Sequence, residues 1–167
     1  RIIEMGEVHL DGLIEPGHVS TITGSDAFEF ISREYGMPQV IAGFEPLDLM
    51  MAVYLLAVQK AEGRGELINN YTRVVRKEGN PKARAVMDEV FEACDTRWRG
   101  LGMLPASGLC IRDKYARYDA RVRFADILKP VHESEYHEPD GCMCGEVLRG
   151  VVRSEECPLF GTVCTPR

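Results

Sequence analysis

The sequence predicts an α/β fold, in which a parallel sheet is flanked by helices, followed by an irregular C-terminal segment. Up to residue 130, short apolar runs alternate with amphipathic helical segments. This strand–helix–strand–helix order is typical of a parallel sheet that is covered on both faces. Beyond it, four of the six cysteines crowd between residues 142 and 164. We therefore predict an α/β domain at 1–130 and a linker with a cysteine-rich segment at 131–167.

The first predicted strand is followed directly by the first predicted helix. Residues 10–15 have the apolar pattern of a strand, which ends in the turn Pro16-Gly17-His18. A helix is predicted over 26–35, because Ser25 can cap its N-terminus and Gly36 can end it. Together these elements form the first strand–helix unit of the sheet.

A second strand and a longer helix come next. Residues 39–42 form a short apolar run that is typical of a buried strand. The helix is predicted over 46–62, with Pro46 in its first turn and Gly63 just past its end. Apolar residues lie on most sides of this helix, so we expect other parts of the protein to cover the helix on both sides.

The sequence pattern defines the remaining helices and strands less clearly. Residues 67–75 fit a strand or a helix, and a further helix begins at Asn80-Pro81. Two short strands are expected at 103–104 and 109–111, and a short helical stretch at 113–124.

Charge and hydropathy exclude two classes of protein. The net charge of −6 argues against nucleic acid as an obligatory partner, because binding phosphates requires clustered Lys and Arg. No apolar run reaches the roughly 20 residues that a membrane-spanning helix needs. The longest, at 47–58, is interrupted by Asp48 and is better interpreted as a core helix. We expect neither nucleic-acid binding nor insertion into a membrane.

The cysteine-rich segment has an irregular spacing. One residue separates Cys142 from Cys144, twelve residues separate Cys144 from Cys157, and six separate Cys157 from Cys164. Four thiolates suit Zn²⁺ or an iron–sulfur cluster, and clustering in one segment favours metal binding in a reducing compartment. Structural zinc sites usually use two Cys-x-x-Cys pairs, so this spacing favours a [4Fe–4S] cluster. Zinc, disulfides and free thiols stay open as alternatives.

Other candidate ligands flank this segment. His132 and His137 lie in the acidic stretch 132–140, which we interpret as a solvated linker, and could serve as alternative metal ligands. Cys94 and Cys110 lie among apolar neighbours, and we expect them to be small buried hydrophobic residues.

A second candidate site follows two of the predicted strands. His18 and Ser20 come after the first strand, and Glu45 and Asp48 come after the second. The carboxyl ends of parallel strands are where such sheets bind ligands. All four residues also have a simpler interpretation, since Ser20 and the two carboxylates can cap helices and His18 can merely pack.

An enzyme domain with a structural zinc segment, or a protein-binding module, is the alternative interpretation. Nucleotide-binding enzymes often carry a Gly-x-x-x-x-Gly-Lys loop or a Gly-x-Gly-x-x-Gly turn after a strand, and neither occurs here. The sequence therefore does not favour nucleotide chemistry.

Several separate motifs resemble the HypD family of hydrogenase expression/formation proteins, in the C-terminal portion of the family's sequence. They occur in the family's order across nearly the whole chain: PGHVS at 16–20, AGFEPLD at 42–48, WRGLG at 98–102, GCMCGEVLRG at 141–150 and CPLFGTVCTP at 157–166.

The resemblance implies a cytoplasmic scaffold rather than a turnover enzyme. HypD-type proteins assemble the Fe(CN)2CO unit of [NiFe]-hydrogenases, work with a small HypC-type chaperone and receive cyanide from a HypE-type donor. The resemblance implies that Cys142, Cys144, Cys157 and Cys164 hold a [4Fe–4S] cluster, which relays electrons to cysteines near the assembling iron. The resemblance also favours a cleft or partner-binding role for four residues that follow the predicted strands, His18, Ser20, Glu45 and Asp48. It also implies that the family's N-terminal half lies outside this sequence. Because Cys164 lies three residues from the end of the sequence, where chains fray, we predict that the chain folds alone but holds its cluster poorly.

Overall fold

The protein is an α/β chain, as predicted, and a computed structural model describes its residues 2–133 and 137–165. It forms two compact units, of which one is Leu10–Met87 and the other combines Arg1–His9 with Asp88–Arg167. We call them the sheet unit and the hairpin unit. The boundary between these two units, at residues 87 and 88, differs from the predicted division at residue 130. A separate cysteine-rich segment at 131–167 stays a prediction.

The sheet unit contains three parallel strands: β1 (Leu13–Pro16), β2 (Gln39–Ala42) and β3 (Leu67–Asn69). Strand β2 lies in the middle and pairs with both neighbours. All four residues of β2 are buried, which is why this strand appears in the sequence as a continuous apolar run after Gln39. The predicted parallel sheet is confirmed.

Four helices follow these strands. They are α1 (Gly17–Thr23), α2 (Asp26–Tyr35), α3 (Pro46–Ala61) and α4 (Pro81–Val90). The predicted bounds of α2 agree with the structure, and α3 ends one residue before its predicted end.

The buried core lies between β2 and α3. Val40, Ala42 and Ala52 form its centre, and Leu55, Leu56 and Ile68 pack against them. These apolar contacts hold the long helix against the central strand. They thereby fix where the loop between β2 and α3 leaves the sheet.

Two local predictions in the first strand–helix pair are wrong. Gly17 and His18 do not form a turn, because helix α1 begins at Gly17 directly after β1. Ser25 does not cap α2, since its backbone is already helical and its side chain makes no capping bond. Gly36 does end that helix as predicted, in the left-handed conformation at φ 62° that glycine adopts readily.

The expectation that α3 is covered on both sides is also wrong within this structure. One side packs on the sheet, where Ala52 and Gln59 are buried. The opposite side is exposed to solvent, with Leu47, Met50 and Tyr54 all more than half exposed. Although α3 has apolar residues on most sides, only one side of the helix is packed in this structure.

The hairpin unit is built on two antiparallel strands. Strand β4 (Phe91–Trp98) follows α4 immediately and pairs with β5 (Gly102–Ile111), with a register shift between Cys94 and Thr96. The sequence predicted only residues near the start and at the end of β5, and it missed β4. The two strands form a sheet of their own and are not part of the parallel sheet.

Short helical elements complete the hairpin unit. A 3-10 helix (Asp113–Tyr118) and helices α5 (Ala120–Arg123), α6 (Ala125–Glu133) and α7 (Cys144–Leu148) follow β5. The helical stretch expected at 113–124 is thus confirmed as two short helices. Within residues 2–133 and 137–165, no helix has the length and apolar character to cross a membrane.

Candidate functional site

The carboxyl ends of the three parallel strands meet around one tyrosine. Gly17 follows β1, Gly43 follows β2, and Tyr71 lies two residues beyond β3. A Cβ atom added to Gly43 would lie 2.7 Å from Cε2 of Tyr71, and one added to Gly17 would lie 2.5 Å from its Cδ1. Both positions must therefore be glycine for the ring to reach the strand ends. Sequence reasoning missed Tyr71, because nothing in its local pattern marks it.

A buried carboxylate and an arginine form the polar part of this cluster. Arg73 donates to both oxygens of Asp48, at 3.1 Å for the Nη1–Oδ1 bond, and its Nη2 lies 3.1 Å from Oε1 of Glu45. Its guanidinium also lies 4.1 Å from the centroid of the Tyr71 ring. The hydrogen bonds from Arg73 hold the pKa of Asp48 below its usual value.

Glu45 and Asp48 therefore do not cap α3, although both lie at its start. Glu45 occupies the N-cap position without a side-chain bond to the helix, and both carboxylates turn to Arg73. The arginine lies 25 residues from Asp48 in sequence, so no short motif could predict the pair.

His18 and Ser20 have opposite environments. The His18 ring is exposed and lies 4.9 Å from the ring of Phe44, which is itself 70% exposed. Ser20 is fully buried, and its hydroxyl donates a hydrogen bond of 2.9 Å to the carbonyl of Pro16. The strand ends thus present His18 and Phe44 to solvent, while Ser20 fastens helix α1 to β1.

The four cysteines of the C-terminal segment are free thiols. Cys142, Cys144 and Cys157 are partly buried, and Cys164 is exposed. Cys144 begins helix α7, and the segment around Cys164 folds back so that the Cys164 amide donates to the carbonyl of Leu159 at 2.8 Å. Every cysteine of the chain that is not in a disulfide therefore lies in this C-terminal segment.

The thiols of this segment differ in their electrostatics. Burial, followed by the neighbouring thiol of Cys142, raises the pKa of Cys144, and Arg99 opposes that shift. The backbone amides of Met143, Leu159 and Phe160 lower the pKa of the Cys157 thiol, because N–H groups directed at sulfur stabilise the thiolate. Amides of this kind also support thiolates that ligate iron–sulfur clusters.

The donor chemistry of this segment fits a thiolate-held group. Four free sulfurs are available, and one of them is already supported as an anion by backbone amides. In the part of the chain that the structure describes, no three His, Cys, Asp or Glu side chains converge tightly enough to hold a single metal ion.

A cavity of about 320 Å³ lies beside Cys142 in the hairpin unit, and its lining includes Trp98, His137 and Glu146. His137 therefore lines the same cavity as Cys142. The side chain of His132, the other candidate ligand, lies outside the described part of the structure.

The prediction for Cys94 and Cys110 is wrong. They are joined by a disulfide across β4 and β5, and both are only partly buried. Neighbouring apolar residues suggested a packed core, but the alternating exposure of a two-stranded hairpin leaves neither side fully covered.

The fold and these sites define a class: an α/β protein that carries a separate four-thiol segment. Comparison with known sequences gives the family. The model of the HypD family, described as "Hydrogenase formation hypA family", matches residues 1–167. This chain belongs to that family.

Named relatives agree with this assignment. The chain is 46% identical to hydrogenase maturation factor HypD2 of Bradyrhizobium diazoefficiens, over 99% of this chain and 42% of that protein. It is 46% identical to hydrogenase maturation factor HypD of Cupriavidus necator and 38% identical to that of Escherichia coli, in each case over 99% of this chain and 43% of the relative. The chain thus spans about two fifths of the length of these curated relatives.

Proposed function

We propose that this chain acts in the maturation of [NiFe]-hydrogenases, as part of a scaffold on which the Fe(CN)2CO unit is assembled. Membership of the HypD family supports the proposal, as do the names of the relatives, which are hydrogenase maturation factors. The iron unit is cargo in this proposal. The resident cofactor is a [4Fe–4S] cluster held by the four-thiol segment.

One observation carries the cluster half of the proposal: all four thiols of the C-terminal segment are free. When bound, a cluster of this kind supplies one-electron transfer. The chain's own contribution is to supply the four sulfurs and to keep them in place. At Cys157 three backbone amides stabilise the anion, and helix α7 sets the direction of Cys144.

The partner half of the proposal concerns the strand ends of the sheet unit. His18 and Phe44 form an exposed aromatic pair there, next to the paired charges of Glu45, Asp48 and Arg73. An exposed aromatic group with a fixed polar neighbour is typical of a protein-binding surface. We assign this surface to a HypC-type chaperone, with the HypE-type cyanide donor acting on the assembled pair. Ser20 supports it from within, through its bond to Pro16.

Serine substitution of the thiols tests the cluster. We expect Cys142→Ser, Cys144→Ser, Cys157→Ser and Cys164→Ser each to retain about tenfold less iron than the wild type after anaerobic reconstitution and a chelator challenge, because each removes a ligand. Iron and sulfide analysis with visible absorption gives the readout.

The matched control removes the other two sulfurs. The double variant Cys94→Ser/Cys110→Ser is expected to keep its iron, since its hairpin retains the strand ladder and the 2.8 Å bond from Nε1 of Trp98 to Ser107. Equal iron loss in the control and the four single variants would contradict a site formed by the C-terminal thiols.

A further inference from the structure

The turn between β4 and β5 lies directly against the start of helix α7. Gly100 is in this turn, at φ 74°, and Gly145 is the second residue of the helix. A Cβ atom added to Gly100 would lie 2.6 Å from the backbone nitrogen of Gly145 and 2.9 Å from Cβ of Cys144. Contacts below 3.0 Å are essentially never seen for real Cβ atoms, so any side chain at residue 100 must displace the helix or the turn.

The same contact excludes a side chain from the other partner. A Cβ atom on Gly145 would overlap the carbonyl oxygen of Gly100. Gly145 has no left-handed backbone conformation, and inside a helix alanine is ordinarily favoured over glycine by about 1 kcal/mol. A glycine here is therefore explained by the close approach of the turn and not by the helix itself.

Polar bonds keep the turn in this place. The amide of Gly100 donates to Oε1 of Glu138 at 2.8 Å, and Trp98 is fixed by its bond to Ser107. These hydrogen bonds hold the turn in place, so the turn can restrict the position of Cys144, against which it packs.

We propose that Gly100 and Gly145 are positioning residues for the cluster: their contact without side chains brings the hairpin turn onto Cys144 and fixes that thiol among the other three. The inference rests on the proposed function, which places Cys144 among the cluster ligands. Ligand sulfurs that are held in place before the metal binds need no rearrangement, so loss of the support is expected to weaken retention of the cluster.

The chain offers a closely matched control in Gly102. Its φ is 74°, the same as that of Gly100, but a Cβ atom on Gly102 would meet nothing within 4 Å. Gly100→Ala and Gly102→Ala therefore impose the same backbone strain, and they differ in the collision with Cys144 and Gly145. Gly145→Ala adds the collision from the other side without strain from a positive φ.

The test reconstitutes the 167-residue chain and its three variants anaerobically with iron and sulfide. After a chelator challenge we expect Gly100→Ala and Gly145→Ala to retain about tenfold less iron than the wild type, and Gly102→Ala to stay close to it. Fluorescence of Trp98, the one tryptophan of the chain, checks that the hairpin is folded in each variant. Wild-type retention in both Gly100→Ala and Gly145→Ala, or equal loss in Gly102→Ala, would overturn the inference.

A second readout separates this inference from the proposed function. In the metal-free chain, alkylation by iodoacetamide should be slower at Cys144 than at the exposed Cys164, and it should speed up at Cys144 in Gly100→Ala but not in Gly102→Ala. A wild-type chain that binds no iron contradicts the proposed function, whereas an alkylation rate at Cys144 that is unchanged by Gly100→Ala contradicts the packing itself.

Discussion

At the scale of single residues, Glu15 is an unusual occupant of the sheet. It is nine-tenths buried within β1, and its carboxyl group makes no hydrogen bond or ion pair with any residue that the structure describes. Burial alone raises the pKa of its carboxyl above 4.5. A buried charge without a partner costs free energy, so the fold favours the protonated carboxyl more than the unfolded chain does.

The effect of Glu15 on stability has a definite sign with pH. Because the folded pKa is raised, its favourable contribution is complete below the unfolded pKa and is lost as the pH rises through the folded value. We expect Glu15→Gln to raise the free energy of unfolding at pH 7 by about 1–3 kcal/mol, and to change it little at pH 4. Urea unfolding at the two pH values measures this, and a variant that is less stable at pH 7 would show that the carboxylate has a favourable partner.

Also at this scale, His18 and Phe44 test the assignment of the partner surface. Both side chains are exposed, so their removal should leave the thermal stability unchanged. We expect His18→Ala and Phe44→Ala each to weaken capture of a HypC-type chaperone by about tenfold, and to impair hydrogenase maturation accordingly.

Val86 provides the control for that experiment, as an exposed apolar residue elsewhere in the sheet unit, on α4. Val86→Ala should capture the chaperone like the wild type. Unchanged capture by both aromatic variants, or a fall in their melting temperature that matches the loss of capture, would place the role of this pair in the fold and not in binding.

The polar residues of the site were only half predictable from sequence. Asp48 and Glu45 could be found because they follow a buried strand, but their partner Arg73 could not, since ion pairs across 25 residues leave no local pattern. Ser25 has the residue type of a helix cap and does not act as one. Residue type predicts what a side chain can do, whereas its partner depends on the tertiary fold.

At the scale of secondary-structure elements, the β4–β5 hairpin is further stabilised by its disulfide. Two-stranded hairpins are marginally stable alone, and the bond joins residues 16 apart in sequence. Closing a loop of this length removes conformational entropy from the unfolded chain worth about 3 kcal/mol. We expect Cys94→Ala/Cys110→Ala to lower the stability of the hairpin by about this amount, as measured by thermal unfolding followed through Trp98 fluorescence.

A reductant supplies the control for the hairpin. Reduced wild type should unfold at the temperature of the double variant, and the double variant should not respond to the reductant. If reduction leaves the wild-type transition unchanged, the strand ladder and the bond between Trp98 and Ser107 hold the hairpin without the disulfide.

Elements with a strong local pattern were predicted well. Strand β2, helix α2 and helix α3 have clear apolar periods and end signals such as Gly36 and Gly63. Strand β4 was missed because it directly continues helix α4, and the antiparallel partner that defines it lies across a turn. Helix α1 was missed because Pro16-Gly17 resembles a turn, and the local pattern does not show that Gly17 lies close to Ala42 and Tyr71.

At the scale of the whole molecule, the family could be predicted from the sequence, whereas the local geometry became visible only in the structure. Five motifs spread along the chain predicted the HypD family, and the family model confirms it over residues 1–167. The spacing of the four C-terminal cysteines could suggest an iron–sulfur cluster, but no sequence pattern could show the turn of Gly100 packed on Cys144. Close backbone contacts of this kind become visible only once both segments are placed.

The central claim is that the four-thiol segment holds an iron–sulfur cluster, and the metal content of anaerobically purified protein tests it most directly. Iron, zinc and acid-labile sulfide are measured per chain on one sample, together with the visible absorption spectrum. We predict a brown protein with iron and acid-labile sulfide in equal amounts, up to about four of each per chain, and little zinc. A colourless protein with about one zinc per chain and no iron would contradict the claim.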